Sequence, residues 1–102
     1  MISTTALSCK LTSAELMERK TTVLKSLQKK VLRKEELENG FAFTFDGSDE
    51  IIDELSEFIK TERECCDFFT LNLIVAGDKN SCRLELTGPE GVKEFIQTEL
   101  EL

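Results

Sequence analysis

The sequence contains no histidine, and its 13 lysines and arginines are outnumbered by 20 aspartates and glutamates. Without imidazole, neither a Ser-His nor a Cys-His nucleophilic pair can form, and the commonest metal ligand is missing. The net charge of −7 disfavours nucleic acid and anionic membranes as partners, because phosphate binding needs an excess of basic side chains. Conventional hydrolysis and nucleic-acid binding therefore have little support.

Long apolar runs are also missing. No stretch approaches the roughly 20 apolar residues that span a bilayer. Residues 1–10, MISTTALSCK, have neither the basic nor the apolar region of a signal peptide. We expect a cytoplasmic protein with reduced thiols and no membrane partner. At 102 residues with seven phenylalanines, the chain fits one domain, residues 1–102.

The charges are unevenly distributed along the chain. Residues 1–34 carry eight basic and two acidic side chains, a net +6, which leaves −13 for the remainder of a chain whose total is −7. This asymmetry fits a solvated basic helix face beside an acidic one. It also fits self-association into a homo-oligomer through complementary surfaces.

Apolar residues at helical spacing predict two long helices. Thr12 and Glu15 form a capping box, which predicts that the first helix begins at Ser13. Its apolar stripe comprises Leu16, Val23, Leu24, Leu27 and Val31. The second helix is predicted to follow the turn at 46–48 and to end near Cys66. Its apolar face comprises Ile51, Ile52, Leu55, Phe58 and Ile59.

Alternating segments predict two hairpins. The charged segment 32–38, the Asn39-Gly40 turn and the run 41–45 predict the first hairpin, with its three phenylalanines in the core. Segments 69–76 and 81–87 predict the second. Gly88-Pro89 is predicted to open a last short helix, with Pro89 at the first helical position. The order α-β-β-α-β-β-α predicts an α+β fold, in which a four-stranded, mainly antiparallel sheet carries helices on one face.

The second helix places a carboxylate close to two thiols. Its apolar stripe continues through Glu62 to Cys65 and Cys66. Thiolates are the ligands that Zn(II), Cu(I) and other thiophilic ions prefer, and a carboxylate could add a ligand or accept a proton. Cys9, which precedes the first helix, could supply a third thiol. These residues predict a site for a thiophilic metal ion, formed by Cys65, Cys66, Cys9 and Glu62.

The same residues also have structural interpretations. A helix end packed on a sheet accepts cysteine as a small apolar residue, and Glu62 could pair with a lysine of the first helix. Adjacent side chains diverge by about 100° in a regular helix, so both thiols can hold one ion only if the helix unwinds there. The helix dipole, Glu64 and Asp67 raise a thiol pKa, which disfavours a thiol-redox enzyme. Cys82, on the strand face of two leucines, is predicted to fill the core.

Two segments, ERECCDFF at 62–69 and LELTGPEG at 84–91, resemble those of a group of short, uncharacterised bacterial proteins. That group typically shows E-R-x-C-C-P-F and L-T-G-P-E-G, and the resemblance extends to CKLT at 9–12. Asp67 stands where the group often has proline, which would end the helix sharply. The resemblance implies binding of mercury, arsenic or another thiophilic species by a segment comprising Glu62, Arg63, Cys65 and Cys66, with Cys9 as third thiol.

The leading hypothesis is therefore a small non-enzymatic protein that binds a thiophilic metal or metalloid. The alternative is a protein-interaction or self-association module in which the cysteines are structural. The residues define no small-molecule ligand.

Overall fold

The computed structural model describes residues 14–102, without the side chains of Leu16 and Cys65. The predicted order and the α+β class are confirmed. The elements are α1 (Ala14–Gln28), β1 (Arg33–Leu37), β2 (Gly40–Asp46), α2 (Asp49–Cys65), β3 (Thr70–Val75), β4 (Ser81–Thr87) and α3 (Val92–Phe95), which continues into a π-helical turn, Ile96–Leu100. The predicted start of the first helix at Ser13, and its capping box, lie outside the described residues.

The sheet has the strand order β1-β2-β4-β3, and all three pairings are antiparallel. Phe43 of β2 lies opposite Leu84 of β4, which lies opposite Leu73 of β3. Because strand side chains alternate between faces, this register places apolar rows on one face, the inner face, and polar rows on the outer face. β1 and β3 form the edges of the sheet.

The core lies between the inner face and the helices. The three phenylalanines of β2 are buried as predicted, with Phe43 and Phe45 fully enclosed. Leu27 of α1 and Leu55 of α2 have no exposed surface and belong to the same cluster. Complete burial of such a side chain contributes about 1.5–3 kcal/mol, so this cluster is the main stabilising feature of the described residues.

Ion pairs join α1 and the turn that follows it to α2. Lys30 Nζ lies 2.6 Å from a Glu54 carboxylate oxygen, and Arg19 Nε lies 3.7 Å from a Glu57 oxygen. A third pair, described below, is buried. Three of the eight basic side chains of residues 1–34 therefore pair with carboxylates of α2. This pairing leaves less charge asymmetry available to drive self-association.

Two loop predictions were wrong in detail. The turn of the first hairpin is formed by Glu38 and Asn39, and Gly40 already belongs to β2, opposite Leu37 and Thr87. A Cβ atom at Gly40 would collide with the Leu86 carbonyl, so close strand contact, and not the turn, requires this glycine.

Pro89 does not occupy the first position of the last helix. Its carbonyl accepts a hydrogen bond from the Val92 N–H at 3.1 Å, and α3 begins only at Val92. Gly91 separates the two with a left-handed φ of 94°, which a right-handed helix cannot include. Residues 89–91 therefore form a separate turn before the helix.

Candidate functional site

Hydrogen bonds at both ends of α2 fix the position of the helix and of its carboxyl end. At the start, the Ile51 N–H donates to the Ser48 side-chain oxygen at 3.3 Å, which confirms the predicted helix start. At the other end, Cys65 is the last helical residue and Cys66 caps the helix with φ −129° and ψ 83°. The Cys66 N–H still donates to the Glu62 carbonyl at 2.6 Å.

This cap changes the relation between the two cysteines. Because Cys66 has left the helical conformation, the divergence of about 100° between adjacent helical side chains no longer fixes its direction relative to Cys65. Unwinding at this point is necessary for two thiols to bind one ion, and the regular helix does end here.

Glu62 is the most unusual residue of this region. Its side chain has no exposed surface, and Lys20 Nζ of α1 lies 3.5 Å from its Oε2. The predicted ion pair with a lysine of the first helix is therefore confirmed. Among the described residues, neither Glu62 oxygen accepts a hydrogen bond of regular geometry. Buried polar atoms of this kind are rare and often mark the place of an ion, a water or a reacting group.

Burial raises the pKa of Glu62 above its ordinary value, because the charged form loses its hydration. The positive charge of Lys20 and the donors on Cys66 and Lys20 act in the opposite direction but do not cancel the effect of burial. Glu62 therefore holds a proton more readily than an exposed glutamate does.

Cys66 is 1% exposed, and burial together with the negative charge of Glu62 raises the pKa of its thiol to about 12. Lys20 lowers this pKa, while Asp67 adds a smaller increase. The direction agrees with the sequence-based prediction, although burial and Glu62 outweigh the expected effect of Asp67. A protonated thiol is a poor nucleophile, so this setting disfavours a redox enzyme.

Aromatic rings border this region on the side of β3 and α3. The Phe68 ring centroid lies 4.8 Å from that of Phe69 and 5.1 Å from that of Phe95, the latter in a T-shaped arrangement. The Phe69 and Phe95 centroids are 5.8 Å apart. These ring contacts, two of them edge-to-face, hold the segment that follows Cys66 against the core.

Cys82 lies away from this region. It is 2% exposed and belongs to the core cluster, which confirms the structural role predicted for it. Its thiol donates to the Asp46 carbonyl at 3.4 Å, near the start of α2. Cys82 therefore lies near the amino end of α2, whereas Cys66 lies at its carboxyl end.

The structure brings together two of the four predicted metal ligands, Cys66 and Glu62. Cys9 and the side chain of Cys65 lie outside the described residues. Among the side chains that the structure does describe, no group of three histidines, cysteines, aspartates or glutamates could hold a metal ion. A complete metal centre at this position stays a prediction.

Lys20 was missed as a specific member of the site. It lies four residues before Leu24 and seven before Leu27, within the apolar stripe of α1. A lysine inside an apolar stripe, facing a second helix whose stripe contains Glu62, is a signal for a buried ion pair.

No protein-family model, curated protein or solved structure matches this chain. The resemblance to the short bacterial proteins stays a prediction. Among residues 14–102, no helix has the length and apolar character needed to cross a membrane.

Proposed function

We propose that the carboxyl end of α2 binds a thiophilic metal ion or metalloid through Cys65 and Cys66, with Cys9 as a further thiol ligand. The observation that carries the proposal is the fully buried Glu62 carboxylate. This carboxylate forms an ion pair with Lys20 at 3.5 Å, and the Cys66 thiol faces the same carboxylate where the helix ends.

The donor chemistry supports a soft ion. Thiolate sulfur favours Zn(II), Cd(II), Hg(II), Cu(I) or As(III) over Mg²⁺ or Ca²⁺, which prefer oxygen. Glu62 can serve as an oxygen ligand to Zn(II), or it can orient the Cys66 thiol from outside the first coordination shell. The proposal requires reduced thiols, as in the cytoplasm.

The charges of the site are compatible with this ligand. Two thiolates neutralise a divalent ion, and three thiolates, with Cys9, neutralise As(III), so in both of these complexes the bound species adds no net charge beside the Lys20–Glu62 pair. The low dielectric of the site would strongly penalise a complex with uncompensated charge. Burial also keeps competing water away from the ion, which strengthens metal–thiolate contacts.

The test is an anaerobic titration of the reduced protein with Zn(II), Cd(II), Hg(II) and As(III). Thiolate-to-metal absorption and the intact mass of the complex give stoichiometry and affinity. We expect one ion per chain or per dimer. The Cys65→Ser, Cys66→Ser double variant should lose this binding.

Cys82→Ala is the matched control, because it removes a buried thiol at the other end of α2 and should leave uptake unchanged. Cys9→Ser separates a three-thiol site from a two-thiol site. Unchanged stoichiometry in the double variant would overturn the proposal, as would binding no stronger than that of a free thiol.

A further inference from the structure

β3 forms an open edge of the sheet. β4 pairs with one side of β3, and no strand within residues 14–102 pairs with the other. In an antiparallel sheet, alternate residues of an edge strand direct their N–H and C=O groups away from the neighbouring strand. These groups can pair with an additional strand.

The two sheet edges differ in composition. Four of the five β1 residues, RKEEL, are charged, which is a common protection against strand addition. β3, TLNLIV, has no charge, proline or glycine. Its last two residues, Ile74 and Val75, are 46% and 47% exposed. Of the two edge strands, only β3 therefore has no charged side chain and carries exposed apolar side chains.

The outer face of the sheet is a poorer surface for a partner. Arg83 lies 2.9 Å from both Glu35 and Glu85, and the Asn72 side-chain amide donates to Glu85 at 3.0 Å. These contacts, within β4 and between strands, pair the charged side chains of the face with one another. An additional strand at the β3 edge would leave this network intact.

The register of β3 suits pairing with a second copy of the same strand. A two-fold axis perpendicular to the sheet makes such a pair antiparallel and keeps each side chain on its own face. With the axis at Leu73, each Leu71 lies opposite Val75 of the second copy. The inner-face residues of the two strands then form one apolar row, and the helices of both copies lie on the same side.

The charges around β3 also suit this register. Asp67 lies in the turn before the strand and Lys79 in the link to β4, so neither charge stands on the strand that forms the contact. Asp78 is oriented within its own turn, where it accepts hydrogen bonds from the backbone and side chain of Asn80 at 3.0 and 3.3 Å. The strand contact itself brings no like charges together, although each chain carries −7.

We propose that β3 pairs with β3 of a second copy across a two-fold axis at Leu73, forming a continuous eight-stranded sheet. A single six-residue strand pair falls below the roughly 1,200 Å² typical of stable complexes, so the dimer should be weak and concentration-dependent. The inference is independent of the thiol site. The Cys65→Ser, Cys66→Ser variant should therefore dimerise as the unaltered protein does.

The test is sedimentation velocity of the full chain from about 10 μM to about 1 mM, which spans weak association. Val75→Lys places a charge opposite Leu71 twice per dimer and should weaken association at least tenfold. Ile74→Lys repeats the test on the outer face, in case Val75→Lys disturbs the core. Leu32→Lys is the matched control, because Leu32 is 68% exposed and precedes the other edge strand.

Hydrogen exchange identifies the interface in the same samples. We expect β3 amides to gain protection as concentration rises, while β1 amides do not. A monomer at every concentration would overturn the proposal, as would a dimer that both β3 variants leave intact. The proposal would also be overturned if the β3 amides were as strongly protected in the dilute monomer as at high concentration. In that case another segment of the same chain would pair with the β3 edge.

Discussion

Replacing Lys20 with methionine removes the ammonium group that lies 3.5 Å from the buried Glu62 carboxylate. Methionine keeps most of the aliphatic stem, so packing is largely retained. Without Lys20, Glu62 either stays charged and unpaired or takes up a proton. The free-energy cost of protonating Glu62 at pH 7 is the upper limit of the loss in stability. Because pH 7 lies about 2.5 pH units above the ordinary pKa of 4.5, holding the proton costs about 3 kcal/mol.

The unaltered protein already bears part of this cost, since burial raises the pKa of Glu62 even with Lys20 present. We therefore expect Lys20→Met to lower the free energy of unfolding by about 1–3 kcal/mol at pH 7. A glutamate with a raised folded-state pKa binds its proton more tightly in the folded state. Its stability contribution thus falls as pH rises from about 4.5 towards the folded-state pKa.

At pH 4.5 the loss should disappear or change sign, because Lys20 then faces a largely neutral carboxyl group. The chain has no tryptophan or tyrosine, so urea unfolding is best followed by far-ultraviolet circular dichroism. Lys25→Met, on the exposed surface of the same helix, controls for the change in net charge. The double variant Lys20→Met, Glu62→Leu should recover most of the loss. An equal loss at both pH values would refute the electrostatic account.

The remaining predictions concern the thiol, the site and the sheet. Apparent Cd(II) affinity should rise about tenfold per pH unit between about pH 6 and 8 for each proton displaced, since the raised pKa of Cys66 keeps its thiol protonated. A titration independent of pH would show that no thiol proton is released. Iodoacetamide should label Cys66 at least about tenfold more slowly than free cysteine at pH 8, as measured by peptide mass spectrometry, and unfolding should abolish the difference. Rapid labelling of the folded protein would contradict its burial. Gly40→Ala should cost more than about 2 kcal/mol in urea unfolding, because the new methyl group meets the Leu86 backbone. Gly77→Ala should change stability by less than about 0.5 kcal/mol, because a Cβ atom added at Gly77 would meet no other atom within 4 Å. Equal losses of stability in the two glycine variants would refute the steric argument.

Much of the fold could be predicted from local patterns. Alternation in residues 41–45 identified the buried face of β2, and Ser48 identified the start of α2. These features depend on neighbouring residues alone. Strand order was not predictable, because β4 lies between β2 and β3 through contacts distant in sequence. The role of Gly40 was misassigned for the same reason, since its steric constraint comes from β4.

The candidate site was only partly predictable. Glu62 and Cys66 could be identified because they extend the apolar stripe of α2, and the pairing of Glu62 with a lysine of α1 followed from that position. The choice of Lys20 and the unwinding at Cys66 depend on how α1 and α2 pack and on the chain reversal into β3. Helical periodicity alone predicts neither the choice of Lys20 nor the end of the helix at Cys66.

X-ray absorption spectroscopy of the Zn(II)-loaded protein tests the central claim most directly, because it counts the sulfur atoms bound to the ion. We predict at least two sulfur ligands at about 2.3 Å, with an oxygen ligand near 2.0–2.2 Å if Glu62 coordinates directly. The Cys65→Ser, Cys66→Ser variant should lose the sulfur shell, and Cys82→Ala should keep it. A shell of oxygen or nitrogen alone, or no retained zinc in the unaltered protein, would contradict the proposed function.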